Sequence, residues 1–499
     1  MGEKTMLTIK PYEFWFLTGS QHLYGKETLN EVEDNSRTIV KGLDSSERIP
    51  YQIVFKPVLT NAADIRSIML EANSNENCAG VITWMHTFSP AKMWISGLSA
   101  LQKPLLHFGT QFNRDIPWQD IDMDFMNLNQ SAHGDREYGF VATRMDIARK
   151  VVVGHWEKES VVDEISAWMK TAVAVTEGIE VRVARFGDNM RNVAVTDGNK
   201  IEAQIKFGWT VDYYGIGDLV EEMDKVSDQE LATLYAEYEK LYELPVEASE
   251  GGSIKDSILE QARIELGLKK FLSDRNYNAF TTNFEDLHGM KQLPGLAAQR
   301  LMAEGYGFAG EGDWKTAALL RVMKVLANNK GTSFMEDYTY HLEPDNEMIL
   351  GSHMLEICPT ISANKPKIVV QQLGIGGKED PARLVFDGRD GRAVVASLIE
   401  LRGRYRLVVN EVQAQNPKEK TPNLPVAKVL WKPEPSLSEA TESWIYAGGA
   451  HHSVFSFEVT ADQLYEYANM TEIECVIIDK NTSVRQLRNE LKLGQMFWD

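Results

Sequence analysis

The spacing of apolar residues changes character near Lys330, and that change limits the folds open to this chain. Before it, short apolar runs alternate with stretches of helical period. Glu13–Leu17 (EFWFL) reads as a strand running into a Gly-Ser loop, and Gln52–Val58, Gly80–Trp84 and Pro104–Phe108 repeat the signal. Between them Ala62–Ala72 places Ile65, Ile68, Met69 and Ala72 on one helical face, and Ala91–Leu101 predicts another helix. The rhythm continues with Ser160–Val175 as helix, Glu180–Phe186 and Ile201–Phe207 as strands, and Ser253–Leu272 as helix. Tyr277–Thr282 then reads as strand, and Leu296–Ala303 and Trp314–Leu326 as helices. Such a βαβα order implies parallel sheets covered by helices. After Lys330 β-like runs follow one another: Ser333–Leu342, Lys367–Gln372, Arg383–Phe386, Ala393–Leu401 and Tyr405–Glu411. Turn residues separate them, including Asp387-Gly388, Asp390-Gly391 and the proline-rich segment Pro417–Pro435. This spacing favours an antiparallel barrel or sandwich. A further boundary falls near residues 175–180, with Glu177-Gly178 as the turn.

A chain of 499 residues fits two or three packed units. Its 52 basic and 72 acidic residues leave a net charge of −20, which disfavours nucleic acid or an anionic membrane as partner. Neutral ligands such as sugars stay open. The three cysteines, Cys78, Cys358 and Cys475, form no CxxC pair and read as reduced structural residues. The amino terminus lacks the apolar stretch of a signal peptide, and no apolar run reaches the ~18–20 residues needed to span a bilayer. The expectation is a soluble cytoplasmic protein.

Gly305-Tyr-Gly-Phe-Ala-Gly310 fits GxGxxG, but a helix precedes it and position 330 is a lysine, not the acid that would hold a ribose. The glycines read instead as a sharp turn between two helices. Four later signals carry more chemistry. Glu311 follows that loop. The Glu336-Asp337 pair lies on a probable strand. His353 sits in Gly351-Ser-His-Met-Leu-Glu356, and His451-His452 follow a glycine turn. Singly these read as a helix-start carboxylate, a solvated strand edge, an ordinary histidine and an incomplete ligand pair. Their separations match no local metal template; if they converge, they make a mixed oxygen–nitrogen set that suits manganese, or cobalt or magnesium, better than a closed zinc site. Polar loops rich in amides and aromatics, Thr18–Gly25, Trp84–Pro90 and Met126–Gly134, follow strands or precede helices and offer donors and acceptors for sugar hydroxyls.

The blocks GSQHLYG (Gly19–Gly25), HTFSPAKMWI (His86–Ile95), MDFMNLNQ (Met123–Gln130), FGDNMR (Phe186–Arg191) and FEDLHG (Phe284–Gly289) resemble the L-arabinose isomerase family. So do GEGDWKTAALLR (Gly310–Arg321), GTSFMEDYTYH (Gly331–His341), LGSHMLE (Leu350–Glu356) and AGGAHH (Ala447–His452), in order and at family-like spacing. The resemblance implies two α/β domains with Rossmann-like parallel sheets, 1–176 and 177–330, followed by a C-terminal antiparallel β-barrel domain, 331–499. It implies a metal-dependent conversion of L-arabinose to L-ribulose, the first step of L-arabinose catabolism. An enediolate or a metal-assisted hydride shift would serve that conversion with the same ligands, and the shared configuration at C2–C4 makes D-galactose to D-tagatose an expected side reaction. The implied ligands for one Mn2+ (Co2+ or Mg2+ as substitutes) fall on Glu311, Glu336, His353 and His452, and the two glutamates are also the candidate acid–base pair. Gln21, Phe88, Gln130, His133, Met190, Phe284 and Ile375 match sugar-lining positions. A homohexamer with sites near subunit interfaces is implied as well. Two other readings are an isomerase of a different sugar, such as L-fucose, and a non-catalytic sugar-binding protein. The block pattern opposes the first, and the full acid–histidine set opposes the second.

Overall fold

The computed structural model describes residues 7–249, 251–374, 376–417 and 419–498. They form two compact units, Lys10–Thr176 and a larger one from Glu177 onward. In the first, strands β1 (Glu13–Gly19), β2 (Gln52–Phe55), β3 (Cys78–Met85), β4 (Leu105–Gly109) and β5 (Lys150–Val153) build one parallel sheet in the order β2-β1-β3-β4-β5. Every residue of β3 is buried, as the continuous apolar run of a strand covered on both faces requires. Trp15, Leu17, Ile65, Met69, Val81, Trp94 and Tyr138 make a core on one face. The strand order reverses between β1 and β3, so the loops leaving those strands flank a crevice.

The larger unit begins with a second parallel sheet. Strands β6 (Arg182–Phe186), β7 (Thr210–Tyr214), β8 (Ala279–Thr282) and β9 (Gly307–Ala309) lie in the order β7-β6-β8-β9, with the reversal between β6 and β8. The rest of the chain adds β10 (Thr332–His341), β11 (Met348–Ser352), β12 (Lys367–Val370), β13 (Ala382–Val385), β14 (Gly391–Leu401), β15 (Arg404–Gln415), β16 (Lys428–Pro433), β17 (His452–Ser456) and β18 (Glu474–Ile478). Six of them, in the order β14-β17-β10-β11-β16-β15, close into an antiparallel barrel because β15 also pairs with β14. Met335, Ile349, Val395, Val412, Trp431 and Phe455 belong to its core. The β14–β15 hairpin turns through Arg402 and Gly403, both with positive φ, the geometry that matches the twist of the strands it joins. Strand β18 joins β15 in parallel, and β12 pairs with β13 apart from the barrel.

Four expectations need correction. Ile201–Phe207 is not a strand but most of a helix, Lys200–Phe207. Asn199 caps its start by accepting from the Glu202 N–H, and Gly208 ends it at φ 78°. Ala91–Leu101 is a 3-10 turn, Ala91–Trp94, followed by a single helical turn, Ile95–Leu98. The proline-rich segment contains strand β16. The GxGxxG glycines do not form a turn between two helices; β9 lies inside the motif. A Cβ on Gly307 would sit 2.1 Å from the Ala317 carbonyl oxygen, so that glycine lets the helix Trp314–Leu326 press against the strand. Among the described residues no helix is long and apolar enough to cross a membrane.

Candidate active site

The carboxyl ends of β6, β8 and β9 meet one edge of the barrel, and each delivers a residue there. Met190 follows β6, Phe284 follows β8 and Glu311 follows β9. The Met190 N–H donates to the Glu311 carbonyl, 2.9 Å, and the Gly312 N–H to the Thr282 carbonyl, 3.2 Å, so the three loops are tied together. Glu311 itself stands at φ 62°, a left-handed conformation that costs a non-glycine residue roughly 1 kcal/mol or more and recurs at functional sites.

The barrel supplies the rest. Strand β10 lies between β11 and β17, and its register sets Glu336 opposite both Ser352 and His452. His353 follows Ser352 directly. Ligand atoms of Glu311, His353 and His452 all lie within 4.8 Å of one another. Glu336 lines the same pocket, about 250 Å3 in volume, with Glu311, His353, Met190 and Phe284. Thr282, Leu287, Leu293, Pro294, Tyr338 and Met354 complete much of its wall.

Both imidazoles are held from behind by carboxylates that the sequence reading did not single out. Glu356 Oε2 lies 2.5 Å from His353 Nδ1, and Asp313 Oδ2 lies 3.1 Å from His452 Nδ1. Each ring is thereby fixed with Nε2 free, the arrangement that metal-binding histidines use. His452 Nε2 is buried without a hydrogen-bond partner, 3.8 Å from Glu311 Oε2. Phe334 packs edge-on against both rings, at 4.9 and 5.1 Å between centroids. Gly310 leaves room for His353, since a Cβ there would come within 2.9 Å of its Cε1.

Charge is arranged to match. Burial opposes ionisation of Asp313, but Lys315 and the bond to His452 outweigh it and hold its carboxyl well below the ordinary range. Burial likewise opposes the Glu311 carboxylate, and His451, His452 and His353 together still lower its pKa. Burial disfavours a protonated His353, yet Glu356 raises its pKa above the usual value. The two acids of the Glu336-Asp337 pair part company, because successive strand residues point to opposite faces. Asp337 faces a second, small cavity with Asn410, Trp431 and Thr441, and burial with the neighbouring Glu336 charge pushes it up to about 7. It is not a solvated strand edge.

The remaining sugar-lining candidates lie in the first unit, apart from Ile375, which falls outside the described residues. Gln21 stands two residues past β1 and Phe88 three past β3, at the crevice of that sheet. The Phe88 and His133 rings stack at 4.5 Å, and the Gln130 N–H donates to the His86 carbonyl. The first unit thus brings Phe88 and His133 into contact, with Gln130 next to the β3 loop.

Family models described as the N-terminal, central and C-terminal domains of L-arabinose isomerase match residues 8–180, 182–329 and 331–474. The chain belongs to the L-arabinose isomerase family. It is 65% identical over 493 residues to the L-arabinose isomerase of Geobacillus stearothermophilus, covering 99% of each chain. Identity to that of Bacillus subtilis is 61% over 494 residues, again 99% of each. Membership in the L-arabinose isomerase family makes the chain an aldose–ketose isomerase.

Proposed function

We propose that this chain interconverts L-arabinose and L-ribulose at the Glu311–Glu336–His353–His452 pocket, with a divalent cation, manganese first, held by those four residues. The observation that carries this is the convergence of Glu311, His353 and His452, whose ligand atoms lie within 4.8 Å of one another, with a buried, unpartnered His452 Nε2 3.8 Å from Glu311 Oε2. Two imidazoles braced by carboxylates, with carboxylates opposite them, fit a borderline divalent ion. When bound, such an ion supplies electrostatic stabilisation of the negative charge that develops on the sugar oxygens. Moving the carbonyl from C1 to C2 requires the C2 proton to leave and a proton to reach C1. One of the two glutamates takes that proton from C2 and returns it to C1, through an enediolate, while the other passes a proton between O1 and O2. Phe284, Met190 and Leu287 shield the reacting carbons from water.

The family resemblance also supports Gln21, Phe88, Gln130 and His133 as sugar contacts, a cytoplasmic location, and a homohexamer, which a sedimentation mass of six chains would check. D-galactose repeats the C2–C4 configuration of L-arabinose and adds a hydroxymethyl group at C5. An added group of that size is resisted by roughly 10–200-fold. D-glucose inverts C4 and leaves a polar partner unpaired, a heavier penalty. Steady-state rates at one manganese concentration should fall in the order L-arabinose, D-galactose, D-glucose. Glucose matching arabinose would contradict a site that reads hydroxyl configuration.

A further inference from the structure

One wall of the pocket is a loop. Between β8 and the helix Gly295–Ala303 the chain supplies Phe284, Leu287, Leu293 and Pro294 to the lining without a regular element to hold them. Its second half is anchored from a helix: Gln261, fully buried, donates to Gln292 Oε1 at 2.9 Å and to the Leu293 carbonyl at 2.7 Å. Its first half depends on a different partner. Lys378, in the segment between β12 and β13, donates from Nζ to the Leu287 carbonyl at 2.6 Å and the Met290 carbonyl at 2.9 Å. Alongside, the Glu379 N–H donates to the Lys291 carbonyl at 3.0 Å, and a Cβ on Gly376 would come within 3.5 Å of Leu293. One ammonium thus closes two carbonyls of the turn that aims Leu287, itself 1% exposed, into the pocket. Bonds from a charged donor to carbonyls are among the stronger ones available to a loop.

We infer that Lys378 is a positioning residue for the sugar: by stapling Leu287 and Met290 it fixes the apolar wall against which the substrate carbons lie, and so sets discrimination between five- and six-carbon aldoses. The inference rests on the isomerase reading of the pocket. Lys378 touches none of the cation donors, so its loss should leave the ion's affinity alone.

The test compares Lys378→Met, which keeps the stem and loses the charged head, with Lys378→Arg, which keeps a cationic donor. In Lys378→Met, hydrogen exchange of the 284–291 amides should quicken by about tenfold or more, as expected when a strong local bond is lost. KM for L-arabinose should rise about three- to tenfold with kcat within about twofold, because ground-state and transition-state packing are lost together. The D-galactose to L-arabinose ratio of kcat/KM should move by about threefold or more. Manganese affinity by calorimetry should stay unchanged, and Lys378→Arg should recover most of the KM. Unchanged loop exchange in Lys378→Met would overturn the staple, whatever the activity. Faster exchange with an unchanged KM and sugar ratio would overturn its link to specificity, as would a parallel fall of kcat, manganese affinity and melting temperature. A wild-type protein inactive on L-arabinose would remove the isomerase reading and the specificity role with it, while the exchange comparison would still decide the staple.

Discussion

Replacing Glu336 by glutamine should lower turnover of L-arabinose by about 10²–10⁴-fold, with a melting temperature close to that of the wild type. The amide keeps the length and shape of the side chain on β10, opposite Ser352 and His452. It no longer accepts a proton. Glu311→Gln should be as severe. Glutamate and glutamine meet the same left-handed backbone penalty at position 311, so that substitution adds no strain. It also removes the carboxylate that lies 3.8 Å from His452 Nε2 and 3.9 Å from His451 Nε2, so manganese affinity should fall with turnover. Steady-state kinetics at saturating manganese, alongside thermal unfolding, separates the chemical loss from instability. Less than a tenfold loss of kcat in Glu336→Gln would remove that carboxylate from the proton transfers.

The neighbouring histidines should part widely. His452 is fully buried and its Nδ1 is held by Asp313; His451 is about one-third exposed, with Nε2 3.9 Å from Glu311 Oε2 and no carboxylate bracing its other nitrogen among the described residues. His452→Ala should weaken manganese binding by more than about 100-fold, and Asp313→Asn by about 10–100-fold through the misdirected ring. His451→Ala should do least. Calorimetric titration with manganese orders the three variants. Equal losses for His451→Ala and His452→Ala would refute the assignment of His452 as the ligand.

How far the sequence carried this picture depended on how local the signal was. The alternation before Lys330 follows from periodicity, whereas the helix Trp314–Leu326 is buried on every side, Lys315, Arg321 and Lys324 included, and is legible from its run of helix-forming apolar residues. The helix Lys200–Phe207 was misread because its Ile201 and Ile205 are both largely exposed, so its apolar residues do not trace a buried stripe. Its cap at Asn199 and the terminating Gly208 were the signals that pointed the right way. The short strands β9, β11 and β17 carry or precede Glu311, His353 and His452, yet three to five residues show no period of their own. At the site, residue types and block resemblance picked out Glu311, Glu336, His353 and His452 without placing them. Asp313 stayed hidden because its partner His452 is 139 positions away, a pairing made only where the loop after β9 meets β17. Glu356, three residues after His353, was within reach of local reading. Lys378 carried no motif at all; its role is visible only in where its ammonium ends.

The central claim is a cation-dependent isomerase at this pocket, and removing the cation tests it most directly. Purified protein is stripped with a chelator, the chelator is removed, and ketose formed from L-arabinose is measured before and after adding manganese or magnesium. Turnover should vanish on stripping and return with manganese more fully than with magnesium, since two imidazole donors disfavour the harder ion. Undiminished ketose formation by thoroughly stripped protein would contradict the account.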